Sequence, residues 1–201
     1  LYVNRFSAVD GRQLTNEDIK SLRGNYDRPL TKGMIGCLLS HISLLKEAYD
    51  RGYNVIWVLE DDIEIVDDIR RIPPLLSALY EIDPDWDVFY TDIDGKNSSN
   101  GEYVPSLSSD FRPDDFFHHP LSDYLKREIV GDGIMRIGQR FCTHSLIISR
   151  KGIEKIFNYF THVYLYSQID IDMHYIPGIR QYSVVKDIVS VNPAPSDCYS
   201  F

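Results

Sequence analysis

The feature that most limits what this chain can fold into is the order of patterns between Gly33 and Asp62: a helical repeat, a short apolar run, then three carboxylates. Ile35, Leu38, Leu39, Ile42, Leu45 and Tyr49 recur at steps of three and four residues, which places them on one helical face. Thr31 stands where an N-cap belongs, and Gly52 falls just past the last periodic residue, where a left-handed stop is expected. Val55-Ile56-Trp57-Val58-Leu59 is too short for a helix and rich in branched and aromatic residues. It predicts a buried strand covered on both faces, as in a parallel sheet. Glu60, Asp61 and Asp62 follow at once, at the carboxyl end of that strand, where open α/β sheets bind their ligands.

Three adjacent carboxylates leaving a buried strand repel one another and resist desolvation unless a cation neutralises them. Hard oxygen ligands suit magnesium or manganese, commonly shared with substrate phosphates. A solvated acidic turn is the plainer reading. The buried strand before the acids and Ile63 and Ile65 after them favour a site.

A chain of 201 residues is long enough for one domain with a sizeable core. Its formal net charge of −9 argues against nucleic acid as a partner, because phosphate backbones reward a basic face. That charge leaves a nucleotide ligand open, since a metal can bridge acid to phosphate. Cys37, Cys142 and Cys198 are too few and too scattered for a disulfide framework; Cys37 and Cys142 read as small core residues, and a reducing compartment is expected. No run approaches the ~20 apolar residues of a membrane span. The expected location is the cytoplasm, with peripheral contact at the inner face of a membrane as the variant.

Along the remaining chain, residues 14–22 predict a short helix begun at Thr15 or Asn16, and 67–71 and 74–82 a helix broken or restarted at Pro73-Pro74. Residues 86–91 predict a second buried strand, also ending in acids, Asp92 and Asp94. From about residue 95 to 133 periodicity fails. That stretch, with Phe111, Phe116, Phe117 and Tyr124, predicts an irregular insertion able to close over a substrate; a surface insertion anchored by its own aromatics is the plainer reading. The neighbours His118 and His119 point different ways on most backbones and are not expected to chelate a metal. Residues 140–149 predict a strand, with Ser149 capping a helix whose inner face carries Ile153, Ile156, Phe157 and Phe160. A brief strand is expected at 163–165, and 182–185 and 188–191 close the sheet. Asp170, Asp172 and His174 share a face if extended, whereas Asp170 and His174 pair if helical. Alternating strands and helices define an α/β class.

Several pieces together resemble glycosyltransferase family 25, which includes lipopolysaccharide, lipooligosaccharide and collagen galactosyltransferases. Gly36-Cys37-x-Leu39-Ser40-His41 followed by Leu59-Glu60-Asp61-Asp62 is similar to the family signature. Ala8-Val9-Asp10-Gly11 precedes them. Thr143-His144-Ser145-Leu146-Ile147-Ile148-Ser149-Arg150-Lys151-Gly152 resembles the family's T-H-A-Y-I-I-S-R-x-G element, and Ile169-Asp170-Ile171-Asp172 its P-V-D-W-x-L segment. Each piece is weak alone; their common order across nearly the whole chain is specific.

The resemblance implies a GT-A-like, Rossmann-type fold with a mostly parallel central sheet flanked by helices, forming a single glycosyltransferase domain over residues 1–201. It implies an inverting transfer of a hexose, galactose above all, from UDP-galactose or a related UDP-hexose to a glycan, lipooligosaccharide or protein acceptor. Mn2+ or Mg2+ would be held by Glu60 and Asp62, with His174 as a further ligand. Gly36, Ser40, His41, Glu60, Asp61, Thr143 and His144 would lie on the donor side, and Asp170 or Asp172 would act as general base. Family members usually begin with a strand of the type I-x-V-I-N-L-x-R-x-x-x-R; too few residues precede Ala8 for it, so this first strand is expected to be missing. A non-catalytic nucleotide-sugar- or glycan-binding module of the same fold is the alternative, and a metal-dependent phosphoryl-transfer enzyme ranks last because no P-loop or D-x-D-x-T motif is present.

Overall fold

The computed structural model describes residues 3–23, 30–93 and 119–191. The expected helices form, and their ends lie where the capping chemistry puts them. α1 (Asn16–Arg23) opens on a reciprocal cap in which Thr15 Oγ1 accepts from Asp18 N–H and Asp18 Oδ2 accepts from Thr15 N–H. α2 (Lys32–Asp50) is capped by Thr31, whose hydroxyl accepts from Met34 N–H. It stops before Gly52, which adopts a φ of 67° at no steric cost. β1 (Val55–Leu59) follows, then the acid turn, then β2 (Ile63–Ile65). Pro73 and Pro74 occupy the first turn of α3 (Ile72–Ile82), where a missing N–H costs nothing, so the helix restarts at the prolines after a single 3-10 turn at Ile69–Arg71.

β3 (Val88–Tyr90) is next among the described residues, and the chain is described again from His119. Much of the expected insertion, 94–118, lies outside the described residues, including Asp94, His118 and the Phe residues 111, 116 and 117. From Leu121 the chain forms α4 (Leu121–Tyr124), then a hairpin of β4 (Arg127–Gly131) and β5 (Ile134–Ile137). Of the expected strand at 140–149 only β6 (Ser145–Ser149) is regular; 140–144 is a loop. α5 (Arg150–His162) is capped by Ser149, as expected. Residues 163–165 form no strand, and Leu165 N–H instead bonds to Leu22 O in α1. α6 (Ile169–Met173), β7 (Gln181–Val184) and β8 (Val189–Val191) complete the described chain.

Six strands form the central sheet in the order β1-β6-β3-β7-β5-β4, while β2 and β8 pair as a separate small sheet. The expectation of a mostly parallel sheet is corrected here. Only β3 and β7 pair in parallel, and the other four neighbouring pairs are antiparallel. The apolar runs reported burial on both faces, and that pattern is blind to direction. All five residues of β6 are buried although it runs antiparallel to both neighbours. β1 is less covered than expected, because it lies at the sheet edge with only Val58 fully buried.

Alternation along the strands supplies two cores. Val88, Tyr90, Leu146 and Ile148 face α2 and α5, meeting Leu38, Leu45, Ile153, Ile156 and Phe160. Phe89, Ile147, Tyr182 and Val184 face the other way, onto α3 through Ile72 and Leu79 and onto Trp86. The result is an α/β protein with a mixed sheet flanked by helices.

α5 approaches the start of β3 closely enough that a Cβ on Gly152 would sit 2.2 Å from the Asp87 carbonyl oxygen. Alanine in a helix normally stabilises relative to glycine. Here the backbone must shift instead, so Gly152→Ala should lose about 1–3 kcal/mol in urea unfolding. An unchanged or raised midpoint would contradict this packing.

Candidate functional site

The antiparallel placement of β6 builds the site. Its first residues lie beside the last residues of both β1 and β3: Glu60 N–H donates to His144 O at 3.0 Å, and Thr91 N–H to Ser145 O at 3.2 Å. The ends of two strands therefore meet the start of a third: Glu60 reaches the Thr143-His144 corner, and Asp92 pairs with Arg140 just before it.

Glu60 is the hub. Its Oε1 accepts from Thr143 Oγ1 at 2.7 Å and lies 3.6 Å from His41 Nε2, while Oε2 lies 3.3 Å from His144 Nδ1. Burial works against the charge, but hydrogen bonds from His144, His41 and Thr143 outweigh it and hold the carboxyl well below the usual carboxylate range. The Cys142 sulfur and the Glu60 carboxylate both favour the charged ring of His144, which is pushed up to about 10.

Asp62, half-buried in the turn after β1, has an Oδ1 with no hydrogen-bond partner among the described residues. Glu60, Asp62 and His144 each offer a ligand atom, all within 4.8 Å of one another. An orphaned buried carboxylate oxygen beside a second carboxylate and an imidazole fits a divalent cation in kind and number of donors. Asp61 is exposed at the same turn.

His174, expected as a further ligand, is not in that group. It packs against His119 and Tyr124 with ring centroids 4.5 and 4.6 Å away, and burial pushes its ring down to about 3. The histidine beside the acids is His144, which sequence placed only on the donor side. The helical alternative for 169–173 holds, yet Asp170 and His174 do not converge: Asp170 turns to the loop before β6 and His174 to the segment before α4.

Two expected donor-side residues, Gly36 and Ser40, serve the scaffold. A Cβ on Gly36 would lie 2.8 Å from Gly11 N, and Ser40 Oγ accepts from Val9 N–H at 2.8 Å while donating to Gly36 O. They fasten the Ala8–Gly11 segment onto α2. The two candidate bases also separate. Asp172 is 1% exposed, and its Oδ2 accepts from the amides of Tyr166 and Ser167. Asp170 is half-buried and accepts from Cys142 N–H at 2.7 Å and Ile171 N–H at 2.9 Å. Burial pushes its carboxyl up, against the pull of those two amides.

Sequence reading missed the support beneath this loop. Arg140, 1% exposed, pairs with Asp92 at 2.6 Å, donates from Nε to Phe141 O, and stacks 4.0 Å from the Tyr90 ring centroid. It pins a turn in which Cys142 takes a φ of 70°, uncommon for a residue with a side chain. Cys37 and Cys142 are half-buried residues beside the site, not the small core residues expected. Residues 140–149, read as one continuous strand, gave no sign of the turn.

Residues 1–174 match the sequence profile of Glycosyltransferase family 25 (LPS biosynthesis protein), and the chain belongs to that family. It is 39% identical over 94 residues to procollagen galactosyltransferase 1 of Danio rerio, covering 42% of this chain and 16% of that protein. It is 38% identical over 95 residues to procollagen galactosyltransferase 2 of Mus musculus, covering 41% of this chain and 15% of the relative. The inactive glycosyltransferase 25 family member 3 of Mus musculus is 37% identical over 93 residues, 41% of this chain and 16% of the relative. The chain thus aligns with only a small part of each of these proteins.

The ion pair between His144 and Glu60 predicts a definite pH response of the metal-free protein. A histidine raised from 6.5 to about 10 contributes stability that is complete below its ordinary value and is lost as pH rises through the folded one. NMR titration should therefore find His144 still protonated at neutral pH. Thermal stability should decline from about pH 7 towards 10, and Glu60→Gln should shift the His144 titration downward. A ring titrating at its ordinary value in the wild type would contradict the pairing.

Proposed function

We propose that this protein is a metal-dependent glycosyltransferase that moves a hexose, galactose by preference, from a UDP-hexose to a hydroxyl acceptor on a glycan, a lipooligosaccharide or a protein. The observation that carries the reading is the convergence of Glu60, Asp62 and His144 at the end of β1. Family membership supports the reaction class, and the names of the procollagen galactosyltransferases support the sugar. Glu60, Asp62 and His144, the last on releasing its ring proton to solvent, would hold Mn2+ or Mg2+, which supplies positive charge to the departing diphosphate.

The chain's own residues account for the rest. Asp170 is the general base: its carboxyl is raised by burial yet kept available by the amides of Cys142 and Ile171. It takes the proton of the acceptor hydroxyl as the oxygen forms a bond to the anomeric carbon. The bond from that carbon to the diphosphate oxygen breaks on the opposite face, inverting the configuration. Asp172, sealed at 1% exposure, is a structural residue in this reading. His41 and Thr143 hold Glu60 charged and oriented, and Arg140 fixes the turn that aims Cys142 N–H at Asp170.

A non-catalytic module is the second reading, favoured by the relatives named inactive that match at similar identity. Transfer from UDP-galactose with manganese, measured on the full chain with and without chelator, separates the two. Asp170→Asn should retain metal-dependent UDP binding by calorimetry while turnover falls about 10²–10⁴-fold. Asp62→Asn should lose both. Wild-type turnover in Asp170→Asn would remove Asp170 as the base, and equal UDP affinity with and without chelator would overturn the metal site.

A further inference from the structure

A second set of donor atoms reaches Glu60 from the other side. Cys37 and His41 stand four residues apart on α2, and therefore on one face. The Cys37 sulfur, a His41 ring nitrogen and a Glu60 carboxylate oxygen all lie within 4.8 Å of one another. Cys37 is half-buried and in no disulfide, and His41 is 8% exposed. The carboxylate divides between two groups: Oε1 lies 3.6 Å from His41 Nε2, and Oε2 lies 3.3 Å from His144 Nδ1. α2 carries its two donors on a fixed scaffold, fastened at Gly36 and Ser40 to the Val9–Gly11 segment.

The two groups differ in chemical softness. Glu60, Asp62 and His144 offer two carboxylates and one imidazole, whereas Cys37, His41 and Glu60 offer one thiolate, one imidazole and one carboxylate. Thiolate discriminates against magnesium and manganese and favours zinc. Nitrogen and oxygen ligands about 2.0–2.1 Å from a tetrahedral zinc stand roughly 3.4 Å apart. The 3.6 Å between His41 Nε2 and Glu60 Oε1 is already close to that span.

We propose that Cys37, His41 and Glu60 form an inhibitory site for a borderline-soft divalent cation such as Zn2+, which withdraws Glu60 from the Glu60–Asp62–His144 group. On binding, the Cys37 S–H bond is exchanged for a metal–sulfur bond and the proton leaves to solvent. Thr143 Oγ1 gives up its hydrogen bond to Oε1. A single carboxylate drawn to a cation on this side is a poorer ligand for a second cation on the other, and two dications bridged by it repel. Zinc and manganese therefore compete through one side chain without sharing a site. The regulatory half of this inference rests on the glycosyltransferase reading above; the site itself does not.

Cobalt(II) titrated into the full chain tests the site directly, because thiolate ligation gives a near-ultraviolet charge-transfer band. The wild type should show that band, Cys37→Ser and Cys37→Ala should lose it, and Cys142→Ser should keep it. A band that survives both Cys37 substitutions, or vanishes with Cys142→Ser alone, overturns the site. Zinc inhibition of UDP-galactose turnover tests the regulation. Half-inhibition should need more zinc as manganese is raised, and at least about tenfold more in Cys37→Ser, whose uninhibited turnover stays at the wild-type level. Equal zinc sensitivity of Cys37→Ser and wild type overturns the inhibitory role. A chain that shows the Cys37-dependent cobalt band but transfers no sugar keeps the site and overturns the reading of function instead.

Discussion

The antiparallel wedge of β6 between β1 and β3 is the constraint on which the site depends. Its register pairs Leu59 with Ser145 and Tyr90 with Leu146, so two strand ends and one strand start fall at the same level of the sheet. Had β6 run parallel to its neighbours, its start would lie at the opposite end of the sheet from Glu60. Thr143 and His144 could not then have reached the carboxylate. The same wedge buries all of β6 between two cores, which gives the corner a rigid base.

On that base the polar groups are arranged in depth. Arg140, sealed against Tyr90 and paired with Asp92, anchors the turn from below. Such buried ion pairs add little net stability when desolvation is counted, but removing one partner leaves an uncompensated charge. Its value here is positional: the guanidinium holds Phe141 O, and the next residue points its amide at Asp170 and its sulfur toward His144. Glu60 sits above, held charged by three donors, and Asp62 completes the group with an oxygen that no donor among the described residues satisfies.

Local chemistry was legible in the sequence. The caps at Thr31 and Ser149 and the stop at Gly52 could be read because each depends on a few neighbouring residues. The acid turn after β1 was legible for the same reason. Strand direction was not, since an apolar run reports burial and not polarity. The partnering of His144 with Glu60, 84 residues away, was visible only as membership of a motif. His174 was expected beside the acids only through the family resemblance; its packing against His119 and Tyr124 is a long-range contact with no local sequence signal. Arg140 and Asp92 were illegible as a pair, because an ion pair formed across 48 residues leaves no periodic trace.

The proposed function requires the cation and the nucleotide diphosphate to meet at Glu60, Asp62 and His144. Paramagnetic broadening of histidine ring resonances by Mn2+ with UDP measures this directly, since the effect falls steeply with distance from the ion. The account predicts that His144 broadens first, with His41 close behind and His174 retained. Loss of the His174 resonance with His144 left sharp would contradict it.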